Sequence, residues 1–235
     1  DDSNIMWQKE RLLNIALESL PKTIDKVAWL DADIIFDSPN WFQETEHRLD
    51  TFPVVQLFEF AFESRKSADP VNQGISFGKF LAENPQMTSW SKPWPKIGIA
   101  WAARRDTISN GFFDKHILGT NDALQFIAWL GLWNHPIVNR LNPYLKKEFL
   151  NWGFKSWEAV SRNVGYVSGN ITHLSHGTKV NRQFSHRDAA LARYEFKPEE
   201  DIMINANGLY EWRSDQFGLH RFVGNYFKNR RDDEI

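Results

Sequence analysis

Residues 27–36 read VAWLDADIIF, an apolar run interrupted by two carboxylates. The aliphatic and aromatic residues around Asp31 and Asp33 favour an extended, buried chain. VAWL itself predicts a short parallel strand covered on both faces. A carboxylate enclosed there without a partner costs several kcal/mol, so the pair must be exposed at the strand's exit or face a cation. In an open α/β sheet, ligands bind outside the carboxyl ends of the strands, which is where the two acids fall. Strand alternation points residues i and i+2 the same way. Two like charges held that close repel unless a cation neutralises them. Oxygen ligands suit Mn²⁺ or Mg²⁺, ions that bridge carboxylates to substrate phosphates. The plainer alternative is a pair of solvated aspartates, with Asp31 capping a turn.

The surrounding pattern predicts an α/β chain. Residues 4–20 have helical spacing of Trp7, Leu12, Leu13, Ala16, Leu17 and Leu20, with Ser3 or Asn4 as cap and Pro21 as stop. A helix feeding a buried strand is half of an α/β unit. Residues 41–49 predict a short helix and 52–60 a second strand. Residues 63–96 show little periodicity, which predicts a functional loop or lid. A strand at 98–103, a short helix at 104–109, helices at 121–131 and 144–160, a strand-like 164–176 and a helix at 182–195 follow. After Phe196 the chain reads as loop-rich, with a last helix around 216–228. The expected division is a catalytic domain at 1–195 and a C-terminal extension at 196–235 packed on it.

Two further clusters carry chemistry. His173 and His176 lie three apart at the end of a strand-like run, followed by Lys179, Asn181, Arg182 and Arg187. A neutral imidazole can complete a carboxylate metal site, and the basic residues could hold a diphosphate. Either histidine alone could equally be structural. In GTND at 119–122, Asp122 sits at a predicted helix N-terminus, with Thr120 or Asn121 placed to cap it. There the dipole and free N–H groups favour an ionised carboxylate. Asp122 is then a general base for an attacking hydroxyl, or itself a cap.

Composition excludes several classes. The formal net charge of −2 argues against a nucleic-acid binder working by bulk electrostatics. With no cysteine, disulfides and thiolate metal sites are out. No apolar stretch has membrane-spanning length and DDSNIMWQKE lacks signal-peptide character, so a soluble cytoplasmic protein is expected. Eleven tryptophans fill the core or offer flat faces to sugar rings.

Taken in order, WQKERLLNIALESL, VAWLDADIIF, IGIAWAARRDTISNGFFDKHILGTNDALQFIAWLG and THLSHGTKVNRQF resemble the successive motifs of a GT-A glycosyltransferase. The similarity is to the catalytic domain of β-1,4-galactosyltransferases and, more distantly, to polypeptide N-acetylgalactosaminyltransferases, over roughly residues 4–190. The resemblance implies a Rossmann-like mixed sheet flanked by helices. It implies a metal-dependent transfer of a sugar from a nucleotide-sugar donor, UDP-linked, to a glycan or other hydroxyl acceptor, with inversion. Asp31 and Asp33 would hold Mn²⁺ or Mg²⁺, with Asp33 the more direct ligand. His173 aligns with the third metal ligand, and His176 falls where a basic residue reaches the diphosphate, beside Lys179 and Arg182. Trp101, Gly119 and Asn121 would contact substrate, and Asp122 would be the catalytic carboxylate, acting as base. The fold's usual N-terminal nucleotide-binding strand lies upstream of the first helix, so a further segment or another chain would complete the nucleotide site. A different divalent-metal phosphohydrolase or nucleotidyltransferase would use the same ligands. A noncatalytic carbohydrate-binding domain would use the tryptophans at 87–101 instead.

Overall fold

The computed structural model describes residues 4–64, 72–89, 95–174, 181 and 187–230. The fold is mixed α/β. Its central sheet, among the described residues, has four strands in the order β1 (Lys26–Leu30), β6 (Ala100–Arg104), β3 (Val54–Gln56), β7 (Val164–Tyr166). β1 and β3 run antiparallel to β6, and β3 runs parallel to β7. A second four-stranded sheet has the order β2 (Ile34–Phe36), β8 (Asn170–Leu174), β4 (Phe60–Ser64), β5 (Asn72–Ile75). Strand alternation in the central sheet feeds two cores. Val54, Trp101 and Ala103 face one side, beneath α4 (Asn121–Leu130) and α6 (Pro143–Val160). Val55, Ala100 and Ala102 face the other, against α2 (Trp41–Thr51) and the second sheet.

Several expectations need correction. β1 is not buried on both faces. It pairs only with β6 among the described residues, and Leu30 is 42% exposed. Asp31 and Asp33 are not on a strand either, because residues 31–33 form the turn between β1 and β2. Residues 63–96 are not one loop. They include part of β4, all of β5 and α3 (Phe77–Glu83), whose N-cap Ser76 accepts a hydrogen bond from Lys79 N at 3.1 Å. That helix has only seven residues, too few to show a period. Arg104 ends β6 and residues 105–109 form turns rather than a helix, and 164–174 divides into β7 and β8, one in each sheet. The first helix, α1 (Lys9–Ser19), starts later than its pattern suggests, because Asn4 accepts a hydrogen bond from Trp212 N instead of capping it. The short α5 (Pro136–Arg140) was not foreseen. Of the helix expected at 182–195, α7 (Arg187–Arg193) is helical and residues 194–195 form a turn, while 182–186 lie outside the described residues. After Phe196 come α8 (Pro198–Asp201), a hairpin of β9 (Ile202–Ile204) and β10 (Tyr210–Trp212), and α9 (Phe217–Lys228). Ile202, Tyr210, Leu219 and Val223 from this region join the larger core.

α1 must be fixed firmly, because it bears on the site. It has no basic residue in its last turn. Arg105, just past β6, supplies the missing cation and donates to Leu17 O and Leu20 O, each at 3.1 Å. Mid-helix, Asn14 brackets Phe112, accepting from its N–H at 2.7 Å and donating to its carbonyl at 3.0 Å. At the β7 edge of the sheet, α3 packs on β7 through two glycines. A Cβ on Gly78 would stand 2.5 Å from Gly165 O. Gly78→Ala should therefore destabilise the fold by about 1–3 kcal/mol, since backbone cannot yield as a side-chain tip can. Urea unfolding of the two proteins measures it.

Candidate metal centre

The Asp31–Asp33 turn is where the chain leaves one sheet for the other. Asp31 N donates to Ile99 O at 2.8 Å, extending the β1–β6 ladder by one step. Leu174 N donates to Asp33 O at 2.8 Å, extending the β2–β8 ladder. Both ends of the turn are thus pinned by backbone, and the two carboxylates converge without strand alternation. β8 brings His173 opposite Ile34, and His173 Nε2 lies 3.4 Å from Asp33 Oδ2. Asp31, Asp33 and His173 each offer a ligand atom within 4.8 Å of the others. Donor atoms about a small octahedral cation stand roughly 3–4 Å apart, so a slight contraction would close the set. Two carboxylates and an imidazole are also the donor chemistry that Mn²⁺ accepts.

A cation already serves this place. Lys9, on α1, forms an ion pair with Asp31. Burial pulls its pKa down, but the charge and hydrogen bond of Asp31 more than offset that, and the net shift is upward. Its neighbour Glu10 turns inward and is 6% exposed. The Glu10 carboxylate accepts from Trp7 Nε1 at 2.6 Å and Asn121 Nδ2 at 2.9 Å. Burial first, and then the charge of Asp122, push its pKa up to about 7. In the sequence Glu10 looks like an ordinary helix-surface charge; the one hint is its place beside Trp7 in a helix leading to the acidic turn.

Asp122 is not the cap of α4. The N-cap is Thr120, whose hydroxyl donates to Asp188 Oδ1 at 3.0 Å instead of closing the helix end. Asp122 stands in the first turn, exposed, with Oδ1 accepting from Ala123 N at 2.8 Å. A Cβ on Gly98 would come 3.2 Å from its Oδ2, so the glycine keeps that side open. Next to it Ile99 holds φ +84°, a left-handed value that is rare for a β-branched residue. Such strain survives only where its surroundings enforce it. Here the enforcing contact is the hydrogen bond from Asp31 N.

Asn121 is buried, and its amide is committed to Glu10 and to the backbone of His116. Trp101 is buried with its indole donating to Ile97 O at 2.7 Å. Gly119, at φ +84°, lets Trp7 lie against the turn, where a Cβ would come 2.9 Å from the indole ring. Lys9, Glu10, Gly98, Trp101, Asn121 and Asp122 share the walls of a small cavity of about 30 Å³. His176, Lys179 and Arg182 lie outside the described residues. Arg187 is buried and donates to Leu118 O at 3.1 Å, which braces the GTND loop.

That bracing belongs to a buried cluster that sequence spacing does not reveal. Asp188 on α7 meets His116 Nε2 at 3.0 Å, Thr120 and Arg140 Nε at 3.3 Å. Burial lowers the pKa of His116 despite the neighbouring carboxylate, so a neutral imidazole donates to an ionised Asp188. For Asp188, burial works upward, but the hydrogen bond from His116 and the nearby positive charge bring the net shift down. The cluster ties α7 to the loop that leads into α4 and Asp122. A far larger groove, about 920 Å³, opens near Lys26 at the other end of β1. It includes none of the candidate ligands, and its cations are largely used by the fold: Lys26 pairs with Asp50 and Arg105 caps α1.

The raised pKa of Glu10 has a consequence for stability. A carboxyl that holds its proton more tightly folded than unfolded contributes least above its folded pKa. Stability should therefore be fully favoured below about pH 4.5 and decline as pH rises to about 7. The decline amounts to about 3 kcal/mol at most. Glu10→Gln keeps an acceptor for Trp7 and Asn121 and should remove this decline, leaving the variant the more stable protein at pH 8. Denaturant unfolding at pH 5 and pH 8 measures the difference.

No protein-family model, curated protein or solved structure matches this chain.

Proposed function

We propose that the chain is a divalent-metal-dependent glycosyltransferase of the GT-A kind, moving a sugar from a UDP-linked donor to a hydroxyl acceptor with inversion. The observation that carries this is the convergence of Asp31, Asp33 and His173 at a turn joining two sheets. Asp122, with one oxygen against Gly98, stands over the cavity next to that turn. A cation bound by the three ligands, Mn²⁺ or Mg²⁺, would supply positive charge opposite a departing diphosphate. The order of motifs along the chain and the mixed central sheet support the same reading.

The protein's own groups then have defined tasks. Asp122, ionised, accepts the proton of the acceptor hydroxyl as its oxygen attacks the anomeric carbon. The bond from that carbon to the diphosphate oxygen breaks, and the nucleoside diphosphate leaves with the bonding electrons. One displacement of this kind inverts the anomeric centre. Lys9 neutralises Asp31 and so limits repulsion within the ligand set. His116 and Asp188 hold the loop before α4 against α7. The outer edge of β1, unpaired among the described residues, is where a further segment or another chain would add to hold the nucleobase.

Asp33→Ala should abolish Mn²⁺-dependent binding of UDP without unfolding the protein, since removing one of two neighbouring carboxylates relieves repulsion. Calorimetric titration of UDP with and without Mn²⁺ reads this, and equal affinity in the variant contradicts the assignment. Asp122→Asn should keep UDP binding and slow sugar transfer by about 10²- to 10⁴-fold, read as UDP release in the presence of acceptor. Release of inorganic phosphate or pyrophosphate in the same assay would favour a phosphohydrolase or nucleotidyltransferase.

A further inference from the structure

Two cations have a claim on Asp31. Lys9 on α1 pairs with it, and Asp31 also offers a ligand atom within 4.8 Å of those of Asp33 and His173. The side chains of Lys9 and Asp31 are 38% and 30% exposed, so water screens them only in part. An ion taken up by the three ligands would share one carboxylate with the Lys9 ammonium. Cations on a shared carboxylate stand about 4 Å apart, where like charges repel strongly even near a protein surface. A double charge on one of them doubles that repulsion. Lys9 and a divalent ion are therefore alternatives at Asp31.

The surroundings also decide where a displaced ammonium goes. Lys9 lines the small cavity together with Glu10 and Asp122. Besides burial and Asp31, the charges of these two acids act on it. Glu10 has little to offer, because its Oε2 already accepts from Trp7 and Asn121. Asp122 has an oxygen to spare. Its Oδ1 accepts from Ala123 N at 2.8 Å, whereas Oδ2 has no hydrogen bond among the described residues and lies where Gly98 carries no side chain. The flexible four-carbon stem of a lysine lets its ammonium swing between two such neighbours. We propose that Lys9 is a positioning residue that links the two halves of the site. It holds Asp31 until a divalent ion takes that carboxylate, then pairs with Asp122 and orients it toward the cavity. Uptake of the ion and alignment of the base are thereby coupled. This deepens the sugar-transfer reading and rests on it for the role of Asp122, although the exchange itself is tested with the ion alone.

The test has two arms in the full chain. Calorimetric titration with Mn²⁺ compares the wild type with Lys9→Met, whose folding circular dichroism confirms. Removing a competitor should tighten Mn²⁺ binding about fivefold, the worth of one partly exposed ion pair. Loss of a merely structural lysine would weaken binding or leave it alone, so an equal or weaker affinity overturns the proposal. The second arm follows the side-chain resonances of Lys9 by NMR, assigned with Lys9→Arg, while Mg²⁺ is added. They should shift saturably in the wild type. In Asp122→Ala the ion should still bind, but the Lys9 resonances should reach a different end point, because the ammonium has lost its second partner. Resonances that do not respond to Mg²⁺, or the same end point in both proteins, overturn the exchange. If Mn²⁺ and UDP bind the wild type but Lys9→Met changes nothing, the exchange falls and the transferase reading stands. If both arms behave as expected and UDP fails to bind with Mn²⁺, the transferase reading falls and the exchange stands. If neither protein binds Mn²⁺, both fall.

Discussion

The site depends on the turn at Asp31–Asp33, held at one end by the central sheet through Ile99 O and at the other by the second sheet through Leu174 N. A turn carrying two carboxylates would ordinarily splay to separate its charges. Anchored to two ladders, it cannot, and the same second sheet delivers His173 beside it. Ile99 bears part of the cost in its left-handed backbone. Ligand convergence is thus a property of how two sheets are joined rather than of a local sequence motif.

Charge around the turn is managed by α1. Lys9 answers Asp31, and Glu10, one residue on, is buried against Asn121 close enough to Asp122 to feel its charge. One helix therefore touches both halves of the proposed chemistry, the cation site and the base. Its fixation by Arg105 at the C-terminus and Asn14 in the middle explains why such distant residues bear on the site. The buried contact between His116 and Asp188 performs the matching task for the loop that leads into α4 and Asp122.

Much of this was legible in the chain. The apolar run around Asp31 and Asp33 marked a candidate ligand site because carboxylates are costly there, and helical spacing gave α4 and α6 nearly to their ends. What stayed hidden has physical reasons. The exposed face of β1 does not show in VAWL, since an apolar run states preference, not which neighbours are present. β5 and α3 are too short for their periods to emerge from residues 63–96. The pair of His116 and Asp188 is separated by 72 positions, and Glu10 looks like any helix-surface acid until Trp7 and Asn121 close on it.

The central claim is that Asp31, Asp33 and His173 together hold one divalent cation against a diphosphate. Anomalous diffraction from crystals grown with Mn²⁺ and UDP tests it most directly. The account predicts a single strong Mn²⁺ peak in direct coordination with Asp33 and His173, with Asp31 around the same ion and the diphosphate oxygens on its open side. A Mn²⁺ peak bound elsewhere, or UDP bound with no metal at the turn, would contradict it.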